Sequence, residues 1–198
     1  SLWLETVAAE KPLSFLDHHL KCGNSLIGAR LEDLHVFPEE TVKGRGRKKR
    51  KSPTPGEGQG FFDVVVPKPV IERFTVAMQK VEGLTDDNIE AVHEKEEAYI
   101  ALKRHPDYLK IRDLCDLKTS LYFDNEMGGY EPKARYQDIV WSTLKGGEKE
   151  WAEAKGRGFM RSARELTAEK RFFHWELEFP EVFYEGGKHK GVAAGFDA

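Results

Sequence analysis

The sequence predicts a mainly α-helical chain with short strands near its two ends, and three observations carry that expectation. Between residues 68 and 170 apolar side chains recur three and four apart, the period of a helix face. Pro and Gly interrupt that pattern at helix-length intervals. Near the end, Phe173, Trp175, Leu177 and Phe179 alternate with polar residues, the two-residue period of a strand that would put Glu176 and Glu178 on its other face.

The elements follow in order. Leu2, Trp3, Leu4 and Val7 read as the last turns of an amphipathic helix. Lys11-Pro12 ends it, because Pro lacks an N–H and disfavours helix at the residue before it. Leu13 to Leu20 extends as a short strand, and Gly23-Asn24-Ser25 is a turn cluster. Leu26 and Ile27, then Leu31, Leu34, Val36 and Phe37, are short apolar groups. From Thr41 the composition shifts to a basic run followed by SPTPGEGQG, too polar to offset its chain entropy by burial, so a disordered or mobile loop is expected. Phe61 to Val66 reads as a strand or a buried connector, ended by Pro67 and Pro69.

Val70, Ile71, Phe74, Ala77, Met78 and Val81 then place a helix over 70–80. Thr85 is the expected N-cap of the next, with Asp86 and Asp87 in its first turn and Ile89, Val92, Tyr99, Ile100 and Leu102 along it to Arg104. His105-Pro106 breaks the chain, and Asp107 opens a helix with Tyr108, Ile111, Leu114, Cys115, Leu121 and Tyr122 on its apolar stripe; the two helices around the Pro turn suggest an αα-hairpin. Residues 125–133 read as loop. Tyr136, Ile139, Val140 and Leu144 mark a helix stopped by Gly146-Gly147. Shorter helices are expected at 151–154 and 159–170, the latter with Met160, Ala163 and Leu166 on one face.

Charge and cysteine usage narrow the function classes. The net charge is −3, but 43–51 (KGRGRKKRK) holds seven positive charges, leaving the rest of the chain at −10. A domain reading DNA with its whole surface is seldom that acidic, so any DNA contact is local. Cys22 and Cys115 form no CxxC and no zinc-spaced cluster, which fits free thiols in a reducing compartment; with no signal peptide and no apolar run of membrane-spanning length, the expected location is cytoplasmic. Bulky apolar residues at both ends mark the chain as an expected internal piece of a longer protein.

Two segments carry a family resemblance. Residues 2–28, LWLETVAAEKPLSFLDHHLKCGNSLIG, resemble the stretch after the cofactor-binding strands of type IIG and related DNA adenine-N6 methyltransferases, with LDHHLKCGNSLIG similar to the third motif. Residues 173–198, FHWELEFPEVF through GFDA, resemble the lead-in to that family's Asn-Pro-Pro-aromatic catalytic signature. The resemblance covers about fifty residues, with the Gly-rich cofactor loop expected upstream and the catalytic signature downstream.

It implies that the end strands belong to an α/β Rossmann-like methyltransferase core split by a helical insertion. The implied organisation is 1–37 as an N-terminal piece of that core, 38–60 as a basic Pro/Gly-rich linker, 61–170 as the insertion and 171–198 as the strand segment leading to the catalytic motif. It further implies S-adenosylmethionine as the methyl donor of the parent enzyme, with Asn24 contacting the donor's adenine in a turn shaped by Gly23 and Ser25. The fragment itself is expected to be inactive and not to bind the donor. Double-stranded DNA is the implied partner, its phosphates contacted by Arg45, Arg47, Lys48, Lys49, Arg50 and Lys51, which also suit a solvated loop. Strands severed from their sheet would leave unpaired edges that favour self-association. His18 and His19 read as solvated or hydrogen-bonded strand residues. A non-catalytic helical module that binds nucleic acid or another protein stands as the alternative; an independent nuclease built on Glu176 and Glu178 lacks a recognisable third ligand.

Overall fold

The structure, a computed structural model, describes residues 20–38, 68–84, 88–123, 125, 132–145, 147–185, 188–191 and 195. It is mainly helical. Among the described residues a 3₁₀ turn, Leu31–Asp33, precedes eight α-helices: α1 Lys68–Gly83, α2 Ile89–Arg104, α3 Pro106–Ser120, α4 Pro132–Lys145, α5 Glu148–Lys155, α6 Gly158–Lys170, α7 Trp175–Glu178 and α8 Pro180–Phe183. Strands β1 (Tyr184–Glu185) and β2 (Lys188–His189) pair antiparallel, Tyr184 opposite His189. No helix among the described residues is long and apolar enough to cross a membrane.

The chain divides into two compact units. One comprises 1–22, 69–109 and 179–198; the other comprises 23–68 and 110–178, so the boundary falls inside α3. Helices α4 to α6 share a unit with 23–38 and 171–178.

In the first unit the helix boundaries follow local chemistry. Asn88 caps α2, its side chain accepting the Ala91 N–H at 2.8 Å. The cap is therefore Asn88; the expected cap Thr85 lies outside the described residues. His105 ends α2 in extended conformation (φ −61°, ψ 133°), as the residue before Pro106 requires, and Pro106 starts α3 where no intrahelical donor is needed. Thr75, Met78 and Val81 of α1 are buried.

In the second unit α4 packs on α5 and α5 on α6. Ile111, Leu114, Leu117, Tyr136, Ile139, Val140, Met160 and Ala163 supply the core, together with Leu31, Leu34, Val36 and Phe37. The Phe37 and Tyr136 rings meet edge to face at 5.8 Å. Every residue of α3 from Asp113 to Ser120 is buried, including the polar Asp113, Asp116, Lys118, Thr119 and Ser120.

Buried polar groups need partners, and for Asp113, Asp116, Lys118 and Ser120 of α3 these come from other segments as well as from the helix itself. Asp113 accepts the Trp151 indole N–H at 3.0 Å, and Ser120 accepts from Asn125 Nδ2 at 2.7 Å. Lys118 donates to the carbonyls of Asp33 and Val36, the latter at 2.6 Å. From α4, Tyr136 donates to the Leu34 carbonyl at 2.7 Å. The helical region thus holds the backbone of 33–36 directly.

The alternation at 173–179 does not produce a strand. Residues 175–178 form the helical turn α7, with Glu176 and Leu177 both buried and Trp175 exposed at its rim. Glu176 is not on a solvated strand face: its carboxylate caps the 3₁₀ turn, accepting the Leu31 N–H at 2.9 Å. A buried acceptor at the polar position defeats a reading that equates polar with outward-facing. The expected strands at 13–20 and 61–66 fall mostly or wholly outside the described residues.

Candidate functional site

The site is the junction between 23–31 and 171–176, both in the second unit. It starts at the end of α6. Arg171 closes that helix in the left-handed region (φ 54°), its N–H bonded to the Thr167 carbonyl at 2.8 Å. That reversal frees the Arg171 carbonyl to accept the Asn24 N–H at 2.7 Å, and the Ile27 carbonyl accepts the Phe173 N–H at 2.7 Å. Asn24 and Phe172 form a parallel bridge.

Between these two bonds the chain makes a tight, exposed turn. The Asn24 carbonyl accepts the Ile27 N–H at 3.0 Å, and Asn24 Oδ1 accepts the Leu26 N–H at 3.2 Å, the self-turning habit of Asn. Leu26 stands 93% exposed at the tip. Trp175 donates its indole N–H to the Ser25 carbonyl at 2.9 Å and packs edge-on against Phe173 at 4.8 Å. The turn therefore carries a polar face, Asn24 and Ser25, beside an aromatic wall.

The glycines permit this approach. A Cβ on Gly28 would sit 2.0 Å from the Phe173 carbonyl oxygen, a backbone atom that cannot swing aside. A Cβ on Gly23 would meet the Phe173 ring at 2.6 Å.

Beneath the turn lie three titratable side chains. His174 Nδ1 accepts the Ala29 N–H at 3.0 Å, so the proton resides on Nε2 and is donated to Asp116 Oδ1 at 3.0 Å. These two contacts assign His174 the tautomer with its hydrogen on Nε2. Glu176 accepts from Leu31 N–H with one oxygen and from Arg30 Nε, at 3.3 Å, with the other. Burial pushes the neighbouring Cys115 thiol well up from its ordinary value, helped by the Asp116 and Glu176 charges. Burial also raises the Tyr136 phenol and lowers the Lys118 ammonium to about 8. Asp113 is raised by burial, against the pull of Arg164 and of the Trp151 hydrogen bond.

Of the residues singled out in the sequence, Gly23, Asn24 and Ser25 come together in this turn beside Phe173 and Trp175. Asn24 Oδ1 is already turned toward Leu26 N–H, so a ligand contact there uses the second lone pair or the Nδ2 hydrogens. Arg45, Arg47, Lys48, Lys49, Arg50 and Lys51, like His18 and His19, lie outside the described residues. The sequence does not mark His174, Asp116 or Lys118 as site residues, and it offers Glu176 only as a nuclease ligand, not as the acceptor for Leu31 and Arg30. The signal that could have found His174 and Glu176 was their place within the family-like word FHWELEF; nothing local distinguishes Asp116 or Lys118 from solvated residues of a helix. No group of three or more His, Cys, Asp or Glu among the described residues could hold a metal ion. No family model, curated protein or solved structure matches the chain.

Proposed function

We propose that the chain is part of a DNA methyltransferase of the type IIG restriction–modification kind, which transfers a methyl group from S-adenosylmethionine to adenine N6. The observation that carries this reading is the hydrogen bond from the Phe173 N–H to the Ile27 carbonyl, beside the isolated parallel bridge of Asn24 with Phe172. It joins the two segments that resemble that family, one similar to its third motif and one to the approach to its catalytic signature. Adjacent parallel strands are how an open α/β sheet brings such segments side by side, and ligands of these sheets bind beyond the strands' carboxyl ends. The exposed Asn24–Ile27 turn lies between the two backbone bonds of this pairing.

S-adenosylmethionine supplies the electrophilic methyl group. Asn24 would hydrogen-bond the donor's adenine in the parent enzyme, from the turn that Gly23 and Ser25 shape. Adenine must leave the helical stack to be reached, so a base-flipping step precedes transfer. The chain contains no Asn-Pro-Pro sequence, so transfer belongs to the longer polypeptide that supplies one. That polypeptide, incubated with double-stranded DNA and methyl-labelled S-adenosylmethionine, is expected to place label in N6-methyladenine. Label absent from adenine would overturn the reading; DNA binding without methylation would favour a non-catalytic nucleic-acid-binding module.

The basic run neutralises DNA phosphates. Deleting 43–51 removes seven positive charges. The deletion is expected to weaken DNA binding and flatten the dependence of log affinity on log salt, by about 0.9 for each phosphate that is no longer neutralised. A salt slope unchanged by the deletion would exclude these residues from the interface.

A further inference from the structure

The three titratable groups beneath the turn form a relay between the helical region and the candidate site. Asp116 lies on α3, a helix outside both family-like segments. Its carboxylate accepts the hydrogen bond of the His174 Nε2–H, which leaves Nδ1 as an acceptor; that acceptor holds the Ala29 N–H. Just beyond it, Glu176 holds the Leu31 N–H and Arg30. Both side chains are buried, so water cannot replace them as acceptors without the segment opening. Residues 29–31 are thereby pinned just downstream of the Asn24–Ile27 turn, and Gly28 lies so close to the Phe173 backbone that a Cβ would meet its carbonyl oxygen.

We propose that Asp116, His174 and Glu176 are positioning residues: through His174 and Glu176, helix α3 and helical turn α7 lock the backbone of 29–31 and so set the placement of the Asn24–Ile27 turn. That this placement governs the methyl donor's affinity rests on the methyltransferase reading; the lock itself rests on geometry alone. The helical region is then a structural part of the site rather than an excursion from it. An ordinary buried ion pair would couple only to its own partner, whereas this arrangement transmits a change at α3 to a backbone amide on another segment.

The test compares Asp116→Ala with Asp116→Asn in the full chain by NMR-detected amide exchange. Asn keeps an oxygen to accept from His174 Nε2, whereas Ala releases the ring to turn or change tautomer. In Asp116→Ala the Ala29 amide and the Trp175 indole N–H, which is bonded to the Ser25 carbonyl, are expected to exchange about tenfold faster. Asp116→Asn is expected to restore both to within about threefold of wild type. The Trp151 indole N–H, held by Asp113 on the same helix, is expected to be unchanged in either variant. An unchanged Ala29 amide in Asp116→Ala, or equal acceleration at Ala29 and Trp151, would overturn the relay. Glu176→Ala provides a second variant that removes both acceptor oxygens; faster exchange at Leu31 with Trp151 unaffected is expected, and no change at Leu31 would contradict the lock.

Titration of S-adenosylhomocysteine into the longer polypeptide separates the two ideas. Weaker binding by about tenfold in Asp116→Ala, recovered in Asp116→Asn, supports both. No binding by the wild type, with the exchange pattern as expected, sinks the methyltransferase reading and leaves the lock standing.

Discussion

Replacing Gly28 with Ala is expected to destabilise the second unit by about 3 kcal/mol or more, among the largest effects a single methyl group produces. The cause is the contact between the added Cβ and the Phe173 carbonyl oxygen, 2.0 Å apart without relaxation. Both atoms are fixed to the backbone, so relief requires the two segments to separate. Separation breaks the Phe173 N–H bond to Ile27, and with it the Ala29 and Leu31 bonds to His174 and Glu176. Gly23→Ala provides the contrast. Its added Cβ meets a ring, 2.6 Å from Phe173 Cδ2, and a ring can tilt. A cost of about 1 kcal/mol is expected there. Urea unfolding followed by near-UV circular dichroism measures both. Equal midpoints for Gly28→Ala and wild type would mean that the segments do not approach as described.

The second large effect concerns Lys118 and pH. Burial lowers its pKa from 10.5 to about 8, partly offset by the charge of Asp33. Between those two values the unfolded chain keeps a proton that the folded chain has released. Stability therefore rises with pH across that window, by on the order of 3 kcal/mol for the whole shift. The bonds to Asp33 and Val36 survive deprotonation, because a neutral amine still has two N–H groups for two carbonyls. The Cys115 thiol and Tyr136 phenol, both raised in the folded state, pull the other way as the unfolded chain loses their protons first. They remain in Lys118→Met, so the difference between wild type and that variant isolates the lysine. The stability of wild type relative to Lys118→Met is expected to grow from pH 8 toward 10.5. A difference that stays flat or shrinks would exclude a buried, depressed lysine.

Helices were legible in the sequence wherever punctuation and periodicity agreed. His105-Pro106 marks the junction of α2 and α3, and Gly147 and Gly156 bound α5, because these residues constrain the backbone locally. The turn at Asn24 was legible for the same reason. The rest depended on partners distant in sequence. Alternation across 173–179 suggests a strand with Glu176 on the face opposite the aromatic residues, yet Glu176 is buried in a helical turn and its oxygens satisfy Leu31 and Arg30. Asp113, Asp116 and Lys118 give α3 the pattern of a surface helix, and all three are buried by hydrogen bonds to residues on other segments. A buried polar side chain and a solvated one have the same letter, and only the fold supplies the partner.

The pairing of 24–27 with 171–173 underlies both the functional reading and the lock, and NMR scalar couplings across hydrogen bonds test it most directly. In uniformly ¹⁵N,¹³C-labelled protein, couplings are expected from the Asn24 amide nitrogen to the Arg171 carbonyl carbon and from the Phe173 nitrogen to the Ile27 carbonyl carbon. Couplings from Asn24 or Phe173 to any other carbonyl would mean that the two segments are not neighbours in this register, and would contradict the account.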